Sequence, residues 1–153
     1  MRRSDRQITD WNEIVDVLKR SNTIRLGIHN EPYPYVVPLS FGFEDAGGKI
    51  CIYFHGAKEG LKHTLLEKNN QVCVEADIFH RFAETENSLT TEYESVIGFG
   101  TAELVQGEEA AKGMDLMCTH CGYDGFVYDV KALDFVKIYK ITLDSITGKR
   151  RFL

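Results

Sequence analysis

The sequence is dominated by short apolar runs typical of β-strands, separated by turn residues and only rarely by helical patterns. The runs are TIRLGI (23–28), YVVPLSFGF (35–43), ICIYFH (50–55), QVCVEADIF (71–79), SVIGFGTAELV (95–105) and DFVKIYKITLDSITGK (134–149). Because these strands do not alternate regularly with helices, the pattern argues against a doubly wound parallel sheet. It predicts a mainly β protein, an antiparallel barrel with short flanking helices.

Helical periodicity occurs in three places. The first helix follows Asp10, whose carboxylate is suited to cap it, and ends near residues 19–22. The second covers about 58–68 and the third about 108–117. The polar stretch 80–94 carries four glutamates and is expected to be an exposed excursion between two strands.

Length and charge restrict the class of protein. We expect one domain, residues 1–153. The net charge of −5 argues against general nucleic-acid binding, which needs a basic surface. No run approaches the roughly 20 apolar residues of a membrane span, and no apolar segment of a secretory signal follows the first arginines. We therefore expect a cytoplasmic protein that binds neither nucleic acid nor membrane.

Pro38 lies in the middle of the run 35–43. A proline removes a backbone donor and is tolerated mainly on an edge strand or at a bulge. It could serve only to protect the edge from aggregation. Alternatively, it leaves backbone groups of Val36, Val37 and Leu39 free to meet the hydrogen-bonding edge of a flat heteroaromatic ring. The proline alone favours the protective role.

Potential cations cluster in YFHGAKEGLKHTLL (53–66), where a strand pattern gives way to a helix. Within nine positions this segment contains His55, Lys58, Lys62 and His63. A strand followed by a glycine turn and a helix start is suited to bind an anion, such as a phosphate monoester with about −1.5 to −2 charges. Lys62 either adds its charge to such a site or is an ordinary surface lysine. Lys58 and His63 are expected on the solvated face of the helix.

Four segments carry a resemblance to a known family. They are the Tyr-Pro-x-x-x-Pro run at 33–38, the Ile-Tyr-Phe-His-Gly-Ala run at 52–57, the Gly-x-Lys at 60–62 and SVIGFGTAELV at 95–105. Together they resemble the flavin-binding split-barrel family related to pyridoxamine 5'-phosphate oxidase. The ending ITGKRR (146–151) is similar to the branch containing the 5-nitroimidazole resistance proteins. The resemblance implies an antiparallel FMN-binding split β-barrel of Greek-key type with short flanking helices.

The same resemblance implies a homodimer with FMN at the subunit interface and a small-molecule substrate. The cofactor-binding residues that it implies are Val36, Val37, Pro38 and Leu39 along the isoalloxazine ring, Tyr53, Phe54 and His55 lining the cofactor, Lys62 at the phosphate, and Ser95 and Val96 near the flavin of the second subunit. His55 is also the catalytic candidate, because the matching histidine of nitroimidazole-resistance relatives lies beside the flavin. Its imidazole could donate a proton to a reduced product or only contact the cofactor.

Two features depart from the family pattern. The chain has no proline after residue 38, so it lacks the C-terminal Arg-x-x-Pro substrate segment of the vitamin B6 oxidase, and we do not expect it to oxidise pyridoxamine phosphate. The segment CTHC (118–121) has no role in the family. With His120 it offers at most three zinc ligands, whereas a structural site usually needs four. Incidental thiols, a metal site and a redox pair stay open, and no metal site is predicted.

These observations predict an FMN-dependent oxidoreductase that reduces small aromatic or nitroaromatic compounds. A carrier or sensor that binds FMN without catalysis is one alternative. A haem-binding split barrel is another, with His55 or His80 as the axial ligand. The sequence favours flavin because Lys62 and its glycine turn fit a phosphate.

Overall fold

The computed structural model describes residues 3–153 and confirms a mainly antiparallel β protein with short flanking helices. The strands are β1 (Gln7–Ile8), β2 (Ile24–Ile28), β3 (Tyr35–Leu39), β4 (Gly42–Asp45), β5 (Ile50–Ala57), β6 (Gln71–Thr85), β7 (Ser88–Val105) and β8 (Val136–Arg151). The helices are α1 (Trp11–Arg20), α2 (Leu61–Lys68) and α3 (Gly107–His120), and 3-10 turns cover Ser4–Arg6 and Val130–Phe135. None of these helices is long and apolar enough to cross a membrane.

Helix α1 forms as its local sequence predicts. The Asp10 carboxylate accepts a hydrogen bond from the backbone N–H of Asn12 at 2.7 Å, which satisfies one of the unpaired donors of the first turn. The apolar stripe of the helix is buried against the barrel core and consists of Ile14, Val15, Val17 and Leu18. After the last turn, the hydroxyl of Ser21 donates to the Val17 carbonyl at 2.8 Å.

The sheet is a barrel that remains open along one seam. Its strands follow the order β3-β2-β6-β7-β8-β5-β4, with β1 added beside β8, and every pairing is antiparallel. β3 and β4 are the two end strands, yet only Ser40 and Phe41 join them. A link of that length spans at most about 11 Å. The sheet must therefore curl until its two edges approach each other, which defines a split barrel.

The predicted single strand 35–43 is wrong, because it breaks into β3 and β4 at this seam. Phe41 and Gly42 are consecutive buried residues, so the alternation of a single strand stops there. The Phe41 ring lies on the His120 ring, with centroids 4.3 Å apart. β4 then forms the predicted hairpin with β5, in which Asp45 pairs with Ile50.

The predicted excursion 80–94 is exposed over most of 80–89, as expected, but it is not separate from the strands, because it continues β6 and β7 as a long hairpin that turns at 86–87. Two of its glutamates, Glu92 and Glu94, are each only 6% exposed. Glu92 accepts from the Arg81 guanidinium across the hairpin at 2.7 Å. Glu94 accepts from both terminal nitrogens of Arg20 in α1, at 2.8 and 2.9 Å. These ion pairs let carboxylates occupy the inner face of a strand.

Helix α3 packs on the outer face of β4 and β5 through close backbone contacts. A Cβ added at Gly42 would lie 2.4 Å from the backbone of Leu116 in α3. A Cβ added at Gly113 would lie 2.7 Å from the Tyr53 ring in β5. Both positions therefore need glycine, and they fix α3 directly above the strand that carries His55.

Candidate functional site

The junction between β5 and α2 forms an open helix start. Gly60 has φ of +136°, a conformation that favours glycine, and its carbonyl accepts from the backbone N–H of His63 at 3.0 Å. No side chain caps the helix. The N–H groups of its first turn and its positive dipole end therefore face the loop 58–60, an arrangement that favours anions.

Lys62 brings a full positive charge to this junction. Its side chain is half-buried, with Nζ 5.2 Å from the centroid of the Phe54 ring. A Cβ at Gly56 would lie only 2.8 Å from Nζ, so the ammonium depends on a glycine for its space. Desolvation lowers the pKa of Lys62. None of the ion pairs within residues 3–153 involves it, so its charge has no anionic partner there.

The other two cations of α2 and its loop take different roles. Lys58 is exposed, as the sequence predicts. The prediction for His63 is wrong, because its ring is 4% exposed and stacks on the Tyr139 ring at 5.5 Å between centroids. His63 Nδ1 also lies 3.0 Å from the Tyr139 hydroxyl. Burial lowers the pKa of His63, and its partner is 76 residues away in sequence. His63 is therefore part of the packing beneath the junction.

His55 lies on the opposite face of β5 from Phe54 and Gly56, since side chains alternate along a strand. His55 is exposed, but neighbouring protein groups partly desolvate its ring. Desolvation and then the nearby charge of Lys62 lower the pKa of His55. The imidazole is therefore predominantly neutral at pH 7, given its ordinary pKa of 6.5.

An apolar cavity of about 310 Å³ opens beside His55. It lies where the seam residue Ser40 meets the second half of α3. Its lining is Ser40, His55, Met114, Met117, Cys118, Cys121, Tyr123 and Phe126. The sequence analysis missed this site, although the sulfur residues 114, 117, 118 and 121 follow a helical i, i+3, i+4, i+7 spacing that could have indicated one face.

The side chains of Tyr53 and Phe54 are both fully buried. The Tyr53 hydroxyl lies 2.6 Å from Glu109 Oε1 and 3.0 Å from Glu44 Oε1. Lys140 donates to the same Glu109 oxygen at 2.7 Å. The Tyr53 side chain thus belongs to a polar network that ties α3 to β5. The Tyr53 backbone is paired with β4 on one side and β8 on the other, so the contact of Tyr53 with a cofactor stays a prediction from the sequence.

The structure confirms that Pro38 lies on an edge strand. Within the described chain β3 pairs with β2 alone, and Pro38 stands opposite Arg25. The side chains of Val36 and Pro38 are exposed on the outer face. Those of Val37 and Leu39 pack partly against the core. The free edge of β3 and the strand end that carries His55 meet at Ser40.

Ser95 and Val96 lie elsewhere in the chain's own fold, in the middle of β7. Ser95 is half-buried on the outer face, and Val96 is buried at 2% exposure. Next to Ser95 on the outer face are Ile97 and Phe99, which are 42% and 56% exposed. Within one chain these residues are not brought to the junction, so their predicted contact with a flavin requires a second subunit.

The CTHC segment forms the last turn of α3 and its first following residue. All four cysteines are free thiols, with Cys118 half-buried and Cys121 exposed in the cavity wall. His120 faces away from them, and its Nε2 lies 2.8 Å from the Ser21 carbonyl. Burial raises the pKa of Cys118. No three His, Cys, Asp or Glu residues of the described chain are grouped to hold a metal ion.

The antiparallel split barrel, with its free edge strand and its glycine-bounded strand-to-helix junction, places the chain in a class of small β-barrel proteins. A family model described as pyridoxamine 5'-phosphate oxidase matches residues 10–150, and the chain belongs to this family. No curated protein matches the chain.

Solved structures extend the comparison. A protein from Bacteroides thetaiotaomicron VPI-5482, proposed to be a 5-nitroimidazole antibiotic resistance protein, is 31% identical with a TM-score of 0.83, and the match covers 94% of this chain and 85% of that one. This similarity confirms the resemblance to the nitroimidazole-resistance branch.

Two more distant structures share the fold. The flavocytochrome Anf3 from Azotobacter vinelandii is 18% identical with a TM-score of 0.80, covering 100% of this chain and 72% of that one. An FAD- and haem-binding protein from Mycobacterium smegmatis is 18% identical with a TM-score of 0.75, covering 95% and 73%.

Proposed function

We propose that the chain binds FMN and acts as an oxidoreductase on small aromatic or nitroaromatic compounds. The observation that carries this proposal is Lys62, a half-buried ammonium with no anionic partner in the described chain, beside an uncapped helix start. Burying a charge without a partner is unfavourable, and a phosphate monoester would relieve that cost. The similar structures described as flavin-binding support the choice of a flavin phosphate.

The chain's residues fit such a cofactor in three parts. Lys62 Nζ and the first N–H groups of α2 hold the phosphate, and the missing Cβ at Gly56 leaves room for the ammonium. The free edge of β3, over Val36, Val37, Pro38 and Leu39, offers backbone groups to the edge of the ring system. Tyr53 is still paired with both β4 and β8, and beyond it the strand end at Phe54 and His55, paired with β8 alone, continues this lining on β5. Because these groups are fixed by the sheet, they orient the ring without reorganising.

When bound, the flavin supplies the transfer of two electrons. His55 stands at the end of this lining, where its imidazole can hydrogen-bond the ring or its substrate. The lowered pKa keeps His55 neutral at pH 7. We therefore favour a contact role, in which its one ring N–H donates a hydrogen bond and keeps its proton. Proton transfer from His55 to the reduced product is the alternative role, and the variant His55→Gln distinguishes it from contact alone.

We further propose a homodimer. The outer face of the sheet exposes Val36, Ile97 and Phe99, of which Val36 is 59% exposed. A second copy covering this face would bury these side chains. It would also allow Ser95 of one chain to approach the flavin held by the other, with Val96 buried behind it in its own core.

The first test combines spectroscopy with variants of the phosphate site. Purified protein should show flavin absorption bands that leave with the supernatant after heat denaturation, and chromatography should identify FMN rather than FAD. Lys62→Ala should weaken FMN binding by about 10- to 150-fold, the equivalent of a lost charged hydrogen bond of roughly 1.5–3 kcal/mol. Lys58→Ala, in the exposed lysine four positions earlier, is the matched control and should leave the affinity unchanged. Equal affinities in both variants would remove Lys62 from the phosphate site.

The alternatives predict different spectra and turnover. A haem protein would show a Soret band, with His55 or His80 as the axial ligand; His80 Nε2 lies 2.9 Å from Glu94 Oε2, which leaves its Nδ1 as the ligating atom. A carrier or sensor would hold stoichiometric flavin yet show no turnover with a reduced nicotinamide nucleotide and a nitroaromatic compound.

A further inference from the structure

The cavity beside His55 is distinct from the phosphate junction and has an unusual wall. Four sulfur-containing side chains line it, together with the rings of Tyr123 and Phe126. The sulfur side chains come from one face of α3 and its last turn, and they are Met114, Met117, Cys118 and Cys121. The only titratable group of the wall besides the thiols and the Tyr123 phenol is His55.

The size of the cavity limits its occupant. At about 310 Å³ it is roughly twice the volume of an engineered cavity of about 150 Å³ that binds benzene. It therefore accommodates a compound of one or two rings. Thioether and thiol sulfurs make favourable contacts with aromatic rings, and methionine adapts its shape to irregular partners. The wall thus suits flat aromatic molecules of varied outline.

The charge of the cavity limits its occupant further. No lysine, arginine, aspartate or glutamate lines it. A carboxylate or phosphate placed against this lining would gain no opposite charge from it, and it would lose part of its hydration once the Lys62 charge is neutralised by the cofactor phosphate, which is unfavourable. His55 does not compensate, because its lowered pKa leaves it neutral at pH 7. The cavity therefore discriminates against anionic compounds.

The two cysteines of the lining, Cys118 and Cys121, contribute to the shape of the cavity and not to redox chemistry. They lie at the C-terminal end of α3, where the helix dipole opposes a thiolate. Burial raises the pKa of Cys118 in the same direction. Reactive C-x-x-C pairs need the opposite environment, a helix start that stabilises the thiolate.

We infer that this cavity is the substrate pocket, that it takes uncharged one- or two-ring aromatic compounds, and that Met114, Met117 and Phe126 determine its specificity. The inference deepens the proposed function and rests on it for the source of electrons. The binding itself requires only the cavity. His55 belongs to both sites. It lines the cavity, and it lies at the end of the strand edge proposed to contact the flavin ring.

The test uses Cys121 as a reporter, because it is exposed and in the wall. Its alkylation by iodoacetamide is followed by peptide mass spectrometry, with free glutathione in the same solution as the control for the reagent. Uncharged 4-nitrotoluene should slow alkylation of Cys121, while 4-nitrobenzoate, the same ring with a carboxylate, should not. The experiment is run on protein with and without FMN.

Each outcome decides between the two proposals. Protection by 4-nitrotoluene in protein that binds no FMN supports the pocket and overturns the proposed flavin function. No protection by either compound, or equal protection by both, overturns the pocket. Full protection by FMN alone also overturns it, because the cavity would then be part of the flavin site.

A pair of variants locates the binding. Phe126 is 56% exposed, so Phe126→Ala should preserve the fold. Loss of its ring should weaken 4-nitrotoluene protection by about 2- to 12-fold, in the range of one aromatic contact. Phe135→Ala removes another exposed phenylalanine, outside the cavity, and should have no effect. Equal behaviour of the two variants would exclude Phe126 from the pocket.

Discussion

Lys62 holds a positive charge that the described chain leaves uncompensated, and this has a consequence for pH. Desolvation places its pKa below the ordinary 10.5. A phosphate prefers the charged ammonium, so FMN binding should be tightest below this lowered pKa and should weaken as the pH rises through it. A guanidinium keeps its charge to far higher pH.

We therefore predict that the Kd of the wild type for FMN rises in alkaline solution, starting below pH 10.5. Lys62→Arg should bind FMN at neutral pH and keep its affinity over the alkaline range. Fluorescence titration of FMN at several pH values gives both curves. Parallel curves for the two proteins would show that Lys62 does not titrate at the phosphate.

His55 permits a separation of contact from proton transfer. His55→Gln keeps a hydrogen-bonding group but cannot donate a catalytic proton at neutral pH. If the histidine only contacts the cofactor, this variant should match the wild type in flavin retention and kcat. If it transfers a proton, flavin retention should persist while kcat falls by about 10²- to 10⁴-fold.

Two further variants calibrate that experiment. His55→Ala should change flavin retention or turnover under either role. His29→Ala replaces a histidine that is exposed in the loop after β2 and should change neither. A His55→Ala variant equal to the wild type in both measurements would remove His55 from the site.

At the scale of elements, helix α1 is fastened to the barrel by Arg20 and Glu94. The carboxylate is buried, and its pKa is held below the ordinary 4.5, first by the Arg20 guanidinium and then by His80. Because the folded pKa lies below the unfolded one, this contribution to stability is present above about pH 4.5 and is lost as the pH falls through the folded value.

Arg20→Ala should lower the free energy of unfolding by about 1–3 kcal/mol at pH 7, since it leaves a buried carboxylate with only His80. Asp16→Ala removes the other, exposed partner of Arg20 and should cost less than about 0.5 kcal/mol. Urea denaturation measures both. The difference between Arg20→Ala and the wild type should shrink in acid, and a difference that is constant with pH would contradict the role of Glu94.

Sequence reasoning succeeded where the cause is local. The Asp10 cap depends on neighbours two residues away, and the strand-to-helix turn before Lys62 on glycines within six positions, whereas the role of Lys62 at a phosphate stays a prediction. It failed where the cause is distant. Glu94 looked solvated because the arginine that neutralises it is 74 residues away. His63 looked exposed for the same reason.

The same distinction between local and distant causes applies to the candidate site. The edge position of Pro38 followed from its missing donor, which is a property of one residue. The cavity beside His55 did not follow, because Ser40 and α3 meet only after the sheet has curled and Gly42 and Gly113 have admitted the helix.

For the whole molecule, the exposed outer face of β7 carries the prediction of a dimer. Phe99→Asp should convert the dimer to a monomer without unfolding the chain, because this side chain is exposed in the single chain. Flavin retention should fall with it if Ser95 and Val96 complete the neighbouring site. Sedimentation measures whether the dimer becomes a monomer, and far-ultraviolet circular dichroism measures whether the chain stays folded. Phe135→Asp is the control on a different surface, and a dimer that survives Phe99→Asp would place the interface elsewhere.

The seam between β3 and β4 has one more consequence. A closed barrel satisfies every strand edge with hydrogen bonds, but here β3 and β4 are not paired with each other and are joined end to end by a two-residue link. The cylinder can therefore widen or narrow locally at Ser40 without breaking a single cross-strand bond. We therefore expect the barrel to yield first at Ser40, where the cavity with its adaptable methionines opens.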